Sequence, residues 1–258
     1  MIHKINFDLN NFAQVKENLK TTWKKPDLKV FVLSPNQKIE SPKNYYESKF
    51  PHLGKPFALG EDVTRGDRGV QRTGDIWFQV RYDSQHPDAY RHSSQAQPLH
   101  TDGSYIPSYP SSTILICEAA ASEGGATTFI NNIDVANALR DHNLELYEFV
   151  TTTKIYHERS GDQTYDFIIN PDNDYRINYN FYCISQSKNL PEHLNKINLF
   201  QEFLLKDEGI KLATIPVKLM PGEAVFWKDD RCLHGRNSFN PKIESERFIW
   251  KCAIDILP

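Results

Sequence analysis

Two side chains able to hold a metal stand two positions apart in Leu99-His100-Thr101-Asp102-Gly103-Ser104-Tyr105. In an extended segment, residues i and i+2 project from one face. The His100 imidazole and the Asp102 carboxylate then point at one spot. A second histidine would complete two nitrogens and one oxygen on one side of a metal, with the remaining positions open, a donor set that suits non-heme Fe(II). His234 is the candidate, because it follows the apolar run Ala224-Val225-Phe226-Trp227 after a short charged turn. A late strand there can pair back toward the first. His92 and His157 stay open as alternatives. His3, His52, His86, His142 and His193 stand in polar, irregular or helical contexts, where a solvated imidazole is expected. No cysteine joins the set, which argues against structural zinc.

Arg247 heads a second chemical stretch, Arg247-Phe248-Ile249-Trp250-Lys251-Cys252-Ala253-Ile254. An arginine entering an apolar strand needs an anionic partner, since a buried unpaired charge is very costly. Guanidinium matches a carboxylate through two parallel hydrogen bonds. The partner is either a cosubstrate carboxylate or one of the 33 acidic side chains. Tyr105 is expected at the mouth of a pocket, and Arg81 ends a strand from which it could bind an acidic group of a substrate. Core packing and a surface ion pair are the plainer readings of these two.

The elements that must position these groups are short strands. Lys29 to Leu33, Ile76 to Tyr82, Thr113 to Glu118, Thr127 to Ile130, Thr151 to Tyr156, Arg176 to Ile184, Ile215 to Leu219, Ala224 to Trp227 and Phe248 to Ile256 read as strands. Helical spacing appears from Asn10 or Asn11 to Lys20, from Asn132 to Asp141, from Asn143 to Val150 and from Pro191 to Asp207. The stretch 34–75, rich in Pro, Gly and charge, reads as irregular. Residues 158–175 are polar and turn-prone and read as a mobile cover. Many short strands with Gly and Pro turns fit a mainly β sandwich or jelly roll with helical additions. A single domain over residues 1–258 is expected, with a helical and strand insert at about 132–210.

Bulk properties narrow the function classes. The 258 residues carry a net charge of −3, so no basic surplus points to nucleic acid. No run approaches the roughly 20 apolar residues of a membrane span. The N-terminal residues lack the apolar core of a secretory signal. Cys117, Cys183, Cys232 and Cys252 are scattered and read as reduced, buried thiols, which suggests a cytoplasmic setting. No Gly-rich phosphate loop joins a strand to a helix.

Taken in order, several stretches resemble the taurine dioxygenase superfamily of Fe(II)/2-oxoglutarate oxygenases, which includes γ-butyrobetaine hydroxylase and clavaminate-synthase-like enzymes. They are Leu99-His100-Thr101-Asp102-Gly103, Glu123-Gly124-Gly125-Ala126-Thr127-Thr128-Phe129, Leu233-His234-Gly235-Arg236-Asn237-Ser238-Phe239, and Arg247. The resemblance covers roughly residues 95–130 and 220–256. It implies a double-stranded β-helix core with His100, Asp102 and His234 as iron ligands. It implies that Arg247 binds the distal carboxylate of 2-oxoglutarate and that Thr127 helps, with Thr128 one register away. Arg236 reads as a structural residue. Fe(II), 2-oxoglutarate and O2 are the implied cofactor and cosubstrates, with succinate and CO2 released. The polar, aromatic surroundings suggest hydroxylation of a small amino-acid-like or carboxylate substrate. Desaturation or cyclisation at the same iron is the nearest rival. Halogenation is disfavoured, because Asp102 fills the position that the family's halogenases vacate. A zinc hydrolase or a non-catalytic β-sandwich binding module leaves Arg247 and the Gly-Gly-x-Thr stretch without a reason.

Overall fold

The computed structural model describes residues 2–25, 29–59, 73–86, 89–110 and 112–256. In chain order the strands are β1 (Ile2–Phe7), β2 (Val30–Pro35), β3 (Gly54–Pro56), β4 (Phe78–Val80), β5 (Gln97–His100), β6 (Ser112–Ala119), β7 (Thr127–Asn131), β8 (Lys154–Arg159), β9 (Asp162–Phe167), β10 (Ile169–Asn170), β11 (Arg176–Ile177), β12 (Ile215–Val217), β13 (Ala224–Lys228), β14 (Cys232–Arg236) and β15 (Phe248–Ile256). The helices are α1 (Phe12–Trp23), α2 (Pro42–Leu53), α3 (Asn132–His142), α4 (Leu144–Thr152), α5 (Pro191–Lys206) and α6 (Glu208–Ala213). A seven-stranded sheet runs β1-β2-β13-β6-β15-β3, with β4 also paired to β15, and a four-stranded sheet runs β12-β7-β14-β5. The two sheets make a jelly roll, mainly β with helical additions.

Strand periodicity explains why the sheets stack. Successive side chains of a strand point to opposite faces. In β2, β6 and β13 one parity (Phe31, Leu33, Ile114, Ile116, Ala224, Phe226) packs under α1 and α2. The other parity (Val30, Val32, Leu115, Cys117, Val225, Trp227) meets Phe129 and Cys232 of the smaller sheet. The outer face of that smaller sheet offers Leu99, Ile130 and Leu233 to α3, α4, α5 and α6. His100, Thr127, His234 and Lys251 share parity with the inward residues, so polar groups line one end of the space between the sheets. Among the described residues no helix is long and apolar enough to cross a membrane.

Several elements differ from the sequence reading. The stretch 34–75 contains α2, whose Tyr46, Phe50 and Leu53 are buried at helical spacing, with Pro42 in its first turn. Pro51 in its last turn disguises it. Residues 60–72 lie outside the described residues. The expected strand 176–184 is only β11 and ends in a 3-10 turn, Phe181–Cys183. Tyr179 is buried there because its backbone bonds the loop after His100: Thr101 N donates to Tyr179 O at 2.6 Å, and Tyr179 N donates to Thr101 Oγ1 at 3.0 Å. Strand 76–82 shrinks to Phe78–Val80. The strand expected from Thr151 starts at Lys154, since Thr151 and Thr152 close α4 by bonding back to Tyr147 O and Glu148 O. β1, β9 and helix α6 go beyond the sequence reading, while the late strand expected at His234 is β14, paired with β5. The stretch 158–175 includes the β8–β9 hairpin turn, where Ser160 and Gly161 both adopt positive φ.

Candidate active site

The β5–β14 pairing sets His100 directly opposite His234. The ring centroids are 4.2 Å apart. After β5 the chain turns sharply through Gly103 at φ +56°, where a Cβ would lie 2.1 Å from the Tyr109 ring. Asp102 thus lies in the turn beyond β5 and not in an extended continuation of it, held beside the two rings by its N–H bond to Asp229. Asp102 Oδ1 is 3.8 Å from His100 Nε2, and Oδ2 is 3.7 Å from His234 Nε2. One donor atom from each of the three residues lies within 4.8 Å of the others.

The electrostatics favour metal-ready forms of these groups. His100 Nδ1 donates to Pro98 O at 2.8 Å, which leaves the lone pair on Nε2. Burial lowers His100 to about 3 and His234 to about 4, so both rings are neutral near pH 7. Burial alone would raise Asp102, but Lys251 and the two histidines outweigh it and hold the carboxyl well below the usual range. Lys251 Nζ sits 2.5 Å from Asp102 Oδ1, and Thr113 Oγ1 donates to Oδ2 at 3.3 Å. Asp229 lies against the triad from below, and burial with the Asp102 charge raises it well above the carboxylate range. A cation on the triad would relieve that pressure.

Arg247 is 4% exposed and adopts φ +55°, a left-handed conformation uncommon outside glycine. Its Nε donates to Gly125 O at 2.7 Å, and its Nη2 donates to Thr127 Oγ1 at 3.4 Å. Gly125 is needed at this crossing, since a Cβ would meet Arg247 Cδ at 2.9 Å. Arg247 Nη1 is buried with no hydrogen-bond partner among the described residues. Burial, then the charge of Arg236, lowers the guanidinium to about 9. An unsatisfied buried guanidinium nitrogen is costly, and a ligand carboxylate would satisfy it. The donor set of the triad and this orphaned nitrogen both fit the metal and the 2-oxo acid implied by the sequence.

A cavity of about 170 Å³ joins these features; the triad, Thr127, Arg247 and Lys251 all line it. Tyr105 lines it too, as expected. Arg81 does not. Its Nη2 pairs with Asp83 Oδ2 at 3.2 Å, and its Nη1 donates to Tyr82 O and Ser245 Oγ. A local ion pair therefore holds Arg81, in place of the substrate contact expected for it. Thr128 points across β7 from Thr127, away from Arg247's bond. Arg236 gives Nη2 to the carbonyls of Tyr90, Ser93 and Gln95 and pins that loop, a structural task. Of the alternative histidines, His92 bonds Arg81 O through Nδ1 and His157 is buried in β8; neither joins the triad.

Three neighbours of the triad go beyond the sequence reading. Lys251 was hidden in an apolar strand, although it shares parity with Arg247 and Ile249. Asp229 looked like part of a solvated turn after Trp227. Gln97, whose Nε2 lies 3.3 Å from His100 Nε2, reads as one of several glutamines in a polar loop.

Comparison with known proteins follows the same lines. The structure of asparagine oxygenase in complex with Fe(II), 2S,3S-3-hydroxyasparagine and succinate superposes with TM-score 0.66 at 13% identity, covering 94% of this chain and 79% of that one. Non-heme iron oxygenase OrfP in complex with Fe and alpha-ketoglutaric acid gives TM-score 0.65 at 13% identity, covering 94% and 80%. A putative alpha-ketoglutarate-dependent taurine dioxygenase from Burkholderia xenovorans gives 0.64 at 16% identity, covering 99% and 87%. In sequence, a uridine-5'-phosphate dioxygenase from Amycolatopsis sp is 27% identical over 147 residues, which span 53% of this chain and 52% of that relative. The match thus takes in about half the length of the curated relative. Residues 52–253 match the model of the taurine catabolism dioxygenase TauD, TfdA family, and the chain belongs to that family.

Proposed function

We propose that the protein is an Fe(II)/2-oxoglutarate-dependent oxygenase that hydroxylates a small, polar, acidic substrate of amino-acid-like or carboxylate type. The observation that carries this reading is the pairing, in one cavity, of the His100–Asp102–His234 cluster with the buried, unpartnered Nη1 of Arg247. His100 Nε2, His234 Nε2 and one Asp102 oxygen would hold the iron. Arg247 and the Thr127 hydroxyl would hold the distal carboxylate of 2-oxoglutarate through charge-assisted bonds. The bound metal and cosubstrate supply the oxidising chemistry, in which O2 converts 2-oxoglutarate to succinate and CO2 as the substrate is oxidised. The protein's part is orientation and exclusion of water. Trp227, Leu115 and Val80 give the cavity apolar wall where water would compete.

The substrate class draws on the remaining lining. Lys251, Arg91 and Arg159 also line the cavity, and Asp102 is the single carboxylate among its described lining residues. A wall with this charge balance favours an acidic group on the substrate. Structural neighbours whose complexes hold hydroxylated asparagine or arginine support an amino-acid-like choice. The test is anaerobic addition of Fe(II) and 2-oxoglutarate, followed by absorbance, then O2 with a panel of amino acids and small carboxylates while succinate is measured. A metal-to-cosubstrate charge-transfer band and substrate-stimulated succinate are the expected results. Bound iron with no such band would reject the assignment.

A further inference from the structure

We propose that Asp229 is a positioning residue that orients the His234 ring and the Asp102 turn together; the proposal rests on the iron-site reading above. Asp229 lies in the turn between β13 and β14 and is 2% exposed. Its Oδ2 accepts the Asp102 backbone N–H at 2.7 Å. Its Oδ1 accepts the Trp227 indole N–H at 2.7 Å. The same Oδ1 lies 3.2 Å from His234 Nδ1, a buried atom with no aligned hydrogen bond among the described residues, so Asp229 is its nearest acceptor by distance and not by a formed bond. Trp227 in turn packs against the His234 ring, with centroids 4.7 Å apart. One buried carboxylate therefore touches the backbone of one metal-cluster residue, the ring of another and the indole beside that ring.

The Asp102 backbone and the Trp227 indole present N–H groups, and His234 presents a third in the tautomer with its proton on Nδ1. With a cation on the triad Asp229 is a carboxylate, which only accepts and can take all of them. An amide of the same shape carries an NH2, which would face at least one N–H. The pairing also selects a tautomer. With the His234 proton on Nδ1, the lone pair is left on Nε2, the nitrogen that faces Asp102. His100 reaches the same tautomer by another route, since its Nδ1 bonds the Pro98 carbonyl. One histidine is thus oriented by main chain and the other by a replaceable side chain.

The test uses Asp229→Asn, with Co(II) binding measured by anaerobic equilibrium dialysis and the fold checked by circular dichroism. Loss of such an outer partner lowers metal affinity about 10- to 100-fold, and that is the expected loss here. A second measurement reads the wild-type chain and needs no Asp229 variant. With histidine 15N labels and Zn(II) bound, the ring resonance that disappears in His234→Gln should report a slowly exchanging Nδ1–H. A folded Asp229→Asn protein with wild-type Co(II) affinity, or a His234 ring protonated on Nε2 in the wild type, overturns the role of Asp229. If Asp229→Asn does not fold, the tautomer decides alone. A wild-type protein that takes up no Co(II) overturns the metal reading itself.

Discussion

The two faces of the seven-stranded sheet use the same strands in opposite ways. The outer face buries Phe31, Leu33, Ile114, Ile116 and Phe226 under helices α1 and α2, with little beyond hydrocarbon and aromatic rings. The inner face starts in the same manner, with Val32, Leu115 and Val225, but toward one end Lys251 and Arg247 replace apolar residues. Burial of hydrocarbon stabilises the first face. Burial of charge costs free energy at the second unless each group is paired. The lesson is that the outer face exists for stability, whereas the inner end holds groups whose partners are each other and a ligand.

That division can be broken deliberately. The largest effect is expected at the cluster: His100→Ala, Asp102→Ala and His234→Ala should each reduce iron-dependent succinate formation to background while circular dichroism stays that of the wild type. Full activity in His234→Ala would reassign that position. On the outer face, Phe226→Ala should destabilise by about 3–5 kcal/mol through lost burial and a residual cavity. Denaturant titration measures this, and metal affinity of the folded variant should not change. An altered metal affinity would show that the two faces are coupled.

Arg247→Gln sharpens the comparison from the inner side. Loss of one partner of a water-excluded charged pair costs about 2–5 kcal/mol, or roughly 30- to several-thousand-fold in affinity. The loss should appear in the 2-oxoglutarate midpoint, with iron binding little changed. Arg247→Lys should recover only part, because an ammonium cannot form two parallel bonds. An unchanged midpoint would move the carboxylate to another site.

An effect confined to acid pH concerns His157, which is fully buried in β8 with both ring nitrogens unpartnered among the described residues. Burial lowers its pKa from 6.5 to about 3, and Asp166 opposes that shift. Between those values the unfolded chain binds a proton that the folded chain refuses. Stability contributed by the neutral ring is therefore present above about pH 6.5 and falls as pH drops toward 3. His157→Leu should flatten the stability profile in that window by up to about 1.4 kcal/mol per pH unit. Chemical denaturation of the metal-free protein at several pH values checks the slope; identical slopes would mean that His157 is protonated when folded.

Where a continuous apolar run is bounded by polar or turn residues, the elements were readable. Thr113 to Glu118, Thr127 to Ile130 and Ala224 to Trp227 became β6, β7 and β13 almost unchanged. Helix α5 was readable because Leu194, Ile197, Phe200 and Leu204 repeat at helical spacing. The bounds of β14 were not, although a late strand at His234 was expected, since two of its five residues are His234 and Arg236, placed there for chemistry or for pinning a loop. The length of β11 was overestimated because Tyr179 is buried by hydrogen bonds to Thr101, a partner distant in sequence.

Residue type and short spacing by themselves singled out His100 and Asp102 as a pair, a late histidine as their complement, and Arg247 as a charge in want of an anion, although the turn that carries Asp102 is held by Asp229 and Tyr179. These follow from local geometry and from the cost of buried charge. Tertiary structure alone decided which histidine completes the cluster, because only the β5–β14 register places His234 opposite His100. It also decided that Arg81 is held outside the cavity by Asp83, and that Lys251 and Asp229 flank Asp102. Apart from the short-range Arg81–Asp83 pair, those contacts join residues more than a hundred positions apart, where no local pattern can encode the meeting.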